Sequence, residues 1–143
     1  MRLVVLDTNV IVSAGLKMGS IPYRLVMDWV LEGKVLLVTS PLISGEYREV
    51  LRRPKFTRHG FPPKWLDHLI DASLQLSDPA PWPRVLPDPT DAPFLALASA
   101  SGAWLVTGNL KHYPESARGR ITVLSPAEYL AHIGGNSPDL ESE

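Results

Sequence analysis

The amino-acid sequence predicts an α/β protein, a three-layer α/β/α sandwich around a mostly parallel sheet of four or five strands. Three observations lead there. Short runs of Val, Leu and Ile, apolar on both faces, begin at Leu3, Val35, Trp104 and Ile121, as buried parallel strands do. Between them lie stretches with apolar residues at helical spacing, so strand and helix alternate. Ser-Pro pairs open two of these stretches, and glycines at Gly33, Gly102 and Gly134 close three.

The first run, Leu3 to Val12, is apolar up to Asp7, passes through Thr8 and Asn9, and resumes as Val10-Ile11-Val12. It reads as the buried central strand ending on Asp7. After Gly19-Ser20-Ile21, Pro22 opens a helix whose Leu25, Val26, Trp29 and Val30 share one face and which Gly33 stops. Val35–Val38 is the second strand. Ser40 and Pro41 then give an N-cap and a first-turn proline to a helix running to about Arg53, ended by Pro54, with Ile43, Tyr47, Val50 and Leu51 as its buried stripe. Residues 55–64 read as irregular, because Gly60, Pro62 and Pro63 interrupt them. Trp65, Leu66, Leu69, Ile70 and Leu74 mark another amphipathic helix, and the proline-rich 78–89 an extended connector. Asp91 opens an alanine-rich helix with Phe94, Leu95 and Ala98 inward and Gly102 as terminator. Trp104–Thr107 and Ile121–Leu124 are the last two strands. Ser125-Pro126-Ala127-Glu128 gives a capping box to a short closing helix that Gly134-Gly135 ends. The polar tail 136–143 is expected to be disordered.

Composition narrows the classes. The chain's 143 residues make one domain, expected to occupy residues 1–135. No apolar run approaches the roughly 20 residues of a membrane span, and the chain opens on strand residues, not a signal-like segment. A cytoplasmic location without membrane association is the expectation. Cysteine is absent, which excludes disulfides and thiolate chemistry. A net charge of −1 supplies no global field for polyanions, so contact with nucleic acid has to use a local patch or metal ions. The most basic region holds Arg48, Arg52, Arg53, Lys55 and Arg58, which suit contacts to an RNA phosphate backbone and equally suit a solvated helix end.

The polar positions carry the chemistry. In open α/β sheets the carboxyl ends of the strands form the ligand crevice. Asp7 ends one strand, Asn109 follows another, and Glu46 and Asp91 lie near helix starts, all at one sheet edge in this arrangement. Each has a simpler reading alone: Asp7 and Asp91 as helix caps, Glu46 as a surface residue. Together, three carboxylates repel one another unless a cation sits between them, and hard oxygen ligands with water suit Mg²⁺ or Mn²⁺. Such an ion at a phosphodiester activates water and stabilises charge on the attacking and leaving oxygens.

Asp7-Thr-Asn9-Val after an apolar strand, Glu46 on the second helix, Asp91 in Asp-x-x-Phe-Leu-Ala-x-Ala, and Val106-Thr-Gly-Asn109 together resemble the PIN domain. More narrowly they are similar to toxins of prokaryotic toxin–antitoxin systems related to the VapC ribonucleases, over Leu3 to about Ile133. The resemblance implies a metal-dependent endoribonuclease hydrolysing single-stranded RNA. It implies Asp7, Glu46 and Asp91 as ligands of Mg²⁺ or Mn²⁺, Asn109 as a further catalytic position, and Thr8, Asn9 and Thr107 in support. It also implies a homodimer and a cognate antitoxin.

One position departs from that pattern. Many PIN nucleases have Asp where this chain has Asn109, which keeps an oxygen ligand but loses a charge and weakens the case for a second metal ion. Asp88 is a nearby substitute, although Asp-Pro reads first as turn chemistry. Ser13, Lys111 and His112 are weaker candidates for contacts in the site. A haloacid-dehalogenase-type phosphatase needs a second Asp where Asn9 stands, and a receiver domain needs an acidic pair and a lysine that are missing here. The remaining rival is a PIN-like module that binds RNA or protein without cutting.

Overall fold

A computed structural model describes residues 2–135; the tail at 136–143 lies outside them. Five strands form one sheet in the order β3-β2-β1-β4-β5, every neighbouring pair parallel. They are β1 (Arg2–Leu6), β2 (Val35–Thr39), β3 (Leu74–Gln75), β4 (Trp104–Val106) and β5 (Val123–Leu124). Parallel neighbours need crossovers, and helices supply them, which gives the three-layer arrangement that strand–helix alternation predicts.

β1 is central, and Val4, Val5 and Leu6 in it have no exposed surface. Burying each is worth roughly 2 kcal/mol. The strand ends one residue before Asp7, which occupies the N-cap position of helix α1 (Thr8–Leu16). The strand thus ends at the boundary the sequence marks with Asp7, and the apolar Val10-Ile11-Val12 that resumes after it is helical, in a helix that buries Thr8, Val10, Ile11 and Ala14. A short apolar run is ambiguous in period, and here packing on the sheet overrides the β-branched preference of Val10, Ile11 and Val12 for strand.

The helix expected after Pro22 is α2 (Ile21–Arg24), capped by Ser20 and continuing as a wider π-turn from Leu25 to Val30 before the left-handed Gly33. α3 (Pro41–Leu51) buries Ile43, Tyr47 and Leu51. Ser40 stands at its N-cap without a side-chain cap bond, and Asp78 Oδ1 accepts from the Leu42 N–H instead. The segment expected to be irregular contains one helical turn, α4 (Pro54–Thr57), because Pro54 suits a first turn as well as it ends the preceding helix. α5 (Trp65–Asp71) stops before Leu74, which pairs with Val38 in the short edge strand β3 rather than extending the helix.

The connector carries no helix or strand until a 3₁₀ turn at Pro89–Asp91 leads into α6 (Ala92–Ser101), which buries Phe94, Leu95 and Ala98 and ends at the left-handed Gly102. After β4, a 3₁₀ turn at Leu110–His112 and the short α7 (Glu115–Arg118) lead to β5. The capping box of Ser125 and Glu128 opens α8 (Pro126–Leu130). Trp29, Trp65 and Trp82 all pack partly buried against the core, and Trp82 Nε1–H donates to the Ala117 carbonyl. No described helix is long and apolar enough to cross a membrane.

Candidate active site

The crevice forms where β1 and β4 end side by side, with the Asp7 N–H bonded to the Val106 carbonyl. Asp7 is 4% exposed, and three donors converge on its Oδ2: the Thr107 hydroxyl at 2.9 Å, the Tyr113 hydroxyl at 2.9 Å and Asn9 Nδ2 at 3.3 Å. Burial pushes this carboxyl up from its ordinary range, and the Thr107 and Tyr113 hydrogen bonds partly offset the push. Asn9 also accepts the Gly108 N–H on its Oδ1 at 2.8 Å. The turn after β1 is thereby stitched to the turn after β4.

Glu46, half-buried on α3, accepts a hydrogen bond from the Thr8 hydroxyl on Oε2. Desolvation raises its proton affinity, the Thr8 bond lowers it, and the nearby Asp7 charge raises it again. Tyr47, the next residue, sends its hydroxyl to the Leu6 carbonyl at 2.6 Å and so fixes α3 against the end of β1. Asp91 approaches from the start of α6. Burial first, then the charges of Asp7 and Asp88, push its carboxyl up to about 6. Its Oδ2 is buried and has no hydrogen-bond partner. The His112 Nδ1 lies 3.1 Å from that oxygen, close enough for an ion pair if the ring is protonated.

The structure therefore brings Asp7, Glu46, Asp91, Thr8, Asn9 and Thr107 to one sheet edge. Asn109 lies exposed on the turn, and its backbone N–H, donating to Thr107 Oγ1 at 3.0 Å, is what ties it to the site. Asp88 is engaged as turn chemistry: its Oδ1 accepts from both the N–H and the hydroxyl of Thr90. Ser13 and Lys111 are exposed. Tyr113, fully buried and bonded to Asp7, is a site residue that sequence reasoning did not single out.

The basic residues divide. Arg53 is paired with Glu49 at 2.9 Å and is near enough to Glu46 to favour its charge. Arg48, bonded to Asp67 at 3.3 Å, lines a separate surface cleft with Arg52 and Lys64. Lys55 lies over the Phe56 ring, and Arg58 turns toward His59.

All-oxygen donors, an orphaned buried carboxylate oxygen and three acids with raised proton affinity fit a hard divalent cation. Among the described residues no three acidic or imidazole side chains close into a ready-made cage, so an ion here would complete its shell with water or phosphate.

The sequence profile of the PIN domain matches residues 3–111. The chain belongs to the PIN domain family. PIN domains are generally nucleases that use divalent metals. The fold is similar to that of VapBC2 from Rickettsia felis bound to a promoter DNA fragment, with a TM-score of 0.61 and 16% identity over 87% of this chain and 98% of that one. FitAcB from Neisseria gonorrhoeae gives 0.55 and 18%, covering 87% and 98%. PAE2754 from Pyrobaculum aerophilum gives 0.53 and 16%, covering 92% and 88%. No curated protein matches the sequence significantly.

Proposed function

We propose that this PIN domain is a metal-dependent endoribonuclease hydrolysing single-stranded RNA, and that it is the toxin of a toxin–antitoxin pair. The observation that carries the hydrolytic reading is the convergence of Asp7, Glu46 and Asp91 on one strand edge, with Asp91 Oδ2 buried and unpartnered. A divalent ion, Mg²⁺ or Mn²⁺, supplies an activated water and charge stabilisation when bound. The chain's own residues do the rest. Thr107, Tyr113 and Asn9 all bond Oδ2 of Asp7 and fix that carboxylate in one orientation. Thr8 holds Glu46. A phosphodiester enters from the open side of the crevice, where Asn109 and Lys111 are exposed.

The toxin reading is supported by the similar solved structures, which are VapBC2 from R. felis, FitAcB from N. gonorrhoeae and a FitAB complex bound to an IR36 DNA fragment. A cognate antitoxin and a homodimer are part of the same proposal. Arg52, with Arg48 and Lys64 in its cleft, is the proposed RNA-backbone contact, joined by Arg53 nearer Glu46 and by Lys55 and Arg58 beyond.

The test is cleavage of a mixed single-stranded RNA pool in Mg²⁺, Mn²⁺ or EDTA by the wild-type protein and its Asp7→Asn variant. Cleavage that needs both metal and Asp7 is expected. RNA retained without cleavage, with metal bound, would favour the binding module, a reading to which exposed Asn109 in place of an acid gives some weight. Charge reversal of Arg52 and Arg53 should weaken RNA binding at low salt, and unchanged affinity would remove those residues from the interface.

A further inference from the structure

The opposite end of the sheet carries a second cleft, of about 250 Å³, lined by Arg2, Leu3, Gly102, Trp104, Tyr129 and His132. It lies where β1 and β4 begin, beside the end of α8. The two strands run parallel, so this cleft stands ~13 Å along them from the strand ends that carry Asp7 and Thr107. Two of its residues need a hydrogen-bond acceptor. Tyr129 is only 1% exposed, yet its hydroxyl has no partner among the described residues. Native proteins keep few such groups, because an orphaned buried hydroxyl costs free energy. Burial pushes that phenol up to about 12, the charge of Arg2 offsets the push only in part, and the hydroxyl keeps its proton to donate. Arg2, exposed, gives one Nη1–H to the Ile133 carbonyl at 3.0 Å, and the rest of its guanidinium has no bond among the described residues. The remaining lining is largely aromatic. The Trp104 and His132 rings lie 4.5 Å apart, and Tyr129 meets Trp104 edge-on at 6.4 Å.

We propose that this cleft binds a small aromatic anion, its ring against Trp104 and His132 and its carboxylate or phosphate oxygens shared by the Arg2 guanidinium and the Tyr129 hydroxyl. The lining offers protons and contains no acid, so a cation or a purely apolar occupant would leave both donors unsatisfied. A guanidinium fork matches the planar oxygens of a carboxylate or the oxygens of a phosphate. Indole and imidazole rings favour a planar partner, which they contact by stacking or edge-on. At about 250 Å³ the cleft falls just below the range of drug-sized sites, which suits a single ring system with its charged group. Free aryl carboxylates and nucleoside monophosphates share this chemistry. The assignment is independent of the nuclease reading, because no residue of the cleft belongs to the acidic crevice.

Benzoate is the first probe, titrated into the isotope-labelled full-length protein and followed by NMR. Saturable shifts at the Trp104 indole N–H and around His132 are expected. Acetate, which lacks the ring, and benzamide, which lacks the charge, should each bind at least about 10-fold more weakly. Arg2→Gln and Tyr129→Phe should each weaken benzoate binding by about 10-fold, the loss of a hydrogen bond to a charged group. Uridine monophosphate separates the two sources: binding tighter than benzoate assigns the cleft to nucleotides, and weaker binding assigns it to free aryl acids. Tyr129→Phe has a further readout in the free protein. Removing a hydroxyl that has no partner should leave Tm unchanged or raise it, so this variant is expected to fold. A lowered Tm would mean that the hydroxyl is already bonded, and would overturn the proposal. Acetate or benzamide matching benzoate, shifts confined to residues outside the cleft, or no saturable binding of either benzoate or uridine monophosphate would overturn it too.

Discussion

Replacing Tyr113 with Phe removes one oxygen and leaves the ring that fills a fully buried place. Burial, together with the charges of Asp7 and Asp91, holds the phenol far above its ordinary value, so it stays protonated and remains a donor at every working pH. What the variant loses is one of three donors to Asp7 Oδ2. A hydrogen bond to a charged acceptor contributes about 1.5–3 kcal/mol; with Thr107 and Asn9 still in place we expect about 2 kcal/mol at pH 8. For a domain of this size that lowers Tm by roughly 4–8 °C. The pH dependence is the sharper part. Asp7 binds its proton more tightly folded than unfolded, so its ionisation erodes stability as pH rises through its folded-state value. The Tyr113 bond limits that erosion, and the Phe variant deepens it. As pH falls and Asp7 takes up its proton, the penalty should shrink toward about 1 kcal/mol, that of a neutral hydrogen bond. Urea unfolding of both proteins at pH 4 and pH 8, without metal, reads the difference directly. Equal penalties at the two pH values would refute the claim that Tyr113 acts on a charged Asp7.

Asp91→Asn should flatten the pH profile of metal-free stability. The wild-type carboxyl, held at about 6 against 3.8, binds its proton more tightly folded, so stability falls as pH rises across that window. Allowing for screening at the crevice mouth, the loss is about 1 kcal/mol; a profile unchanged in the variant would contradict this. Adding Mn²⁺ to wild type should reverse the loss at pH 7 in a thermal melt. Gly15→Ala should destabilise by about 1–3 kcal/mol despite its better helix propensity, because the new Cβ falls 2.5 Å from Phe61 Cζ; an unchanged urea midpoint would mean that the ring moves aside freely. Ser125→Ala, which breaks the capping box, should cost about 1 kcal/mol by the same assay without altering metal affinity, since α8 is remote from the carboxylates in the chain and in its contacts.

The strands were legible because buried parallel strands leave unbroken Val and Leu runs, and α3, α6 and α8 because proline and capping residues mark their starts. α1 was not, since Val10-Ile11-Val12 has the same composition as a strand and only the packing beside β1 decides its state. The edge strand β3 was hidden because two residues carry no period, and Leu74 fits helical spacing equally well. In the site, Asp7, Glu46 and Asp91 were readable as acids at element boundaries. Tyr113 was not, because its role depends on a hydroxyl crossing to another strand end, 106 positions away, and a loop tyrosine announces nothing of that. The only available signal was its place just after the polar turn that follows β4. His112 was visible only as a lone loop histidine; its approach to the orphaned oxygen of Asp91 is a property of the turn.

The order in which the ribosome makes this chain differs from the order in which the sheet is built. β1 emerges first but lies in the middle, between β2 and the much later β4. Asp7 therefore waits for a neighbour on one side until residues 104–107 are made, and for its last hydrogen bond until Tyr113 is. A nascent or truncated chain that stops short of that point holds Asp7, Glu46 and Asp91 but lacks the strand end that aligns them. Synthesis itself thus delays assembly of the acidic site until most of the chain has been translated.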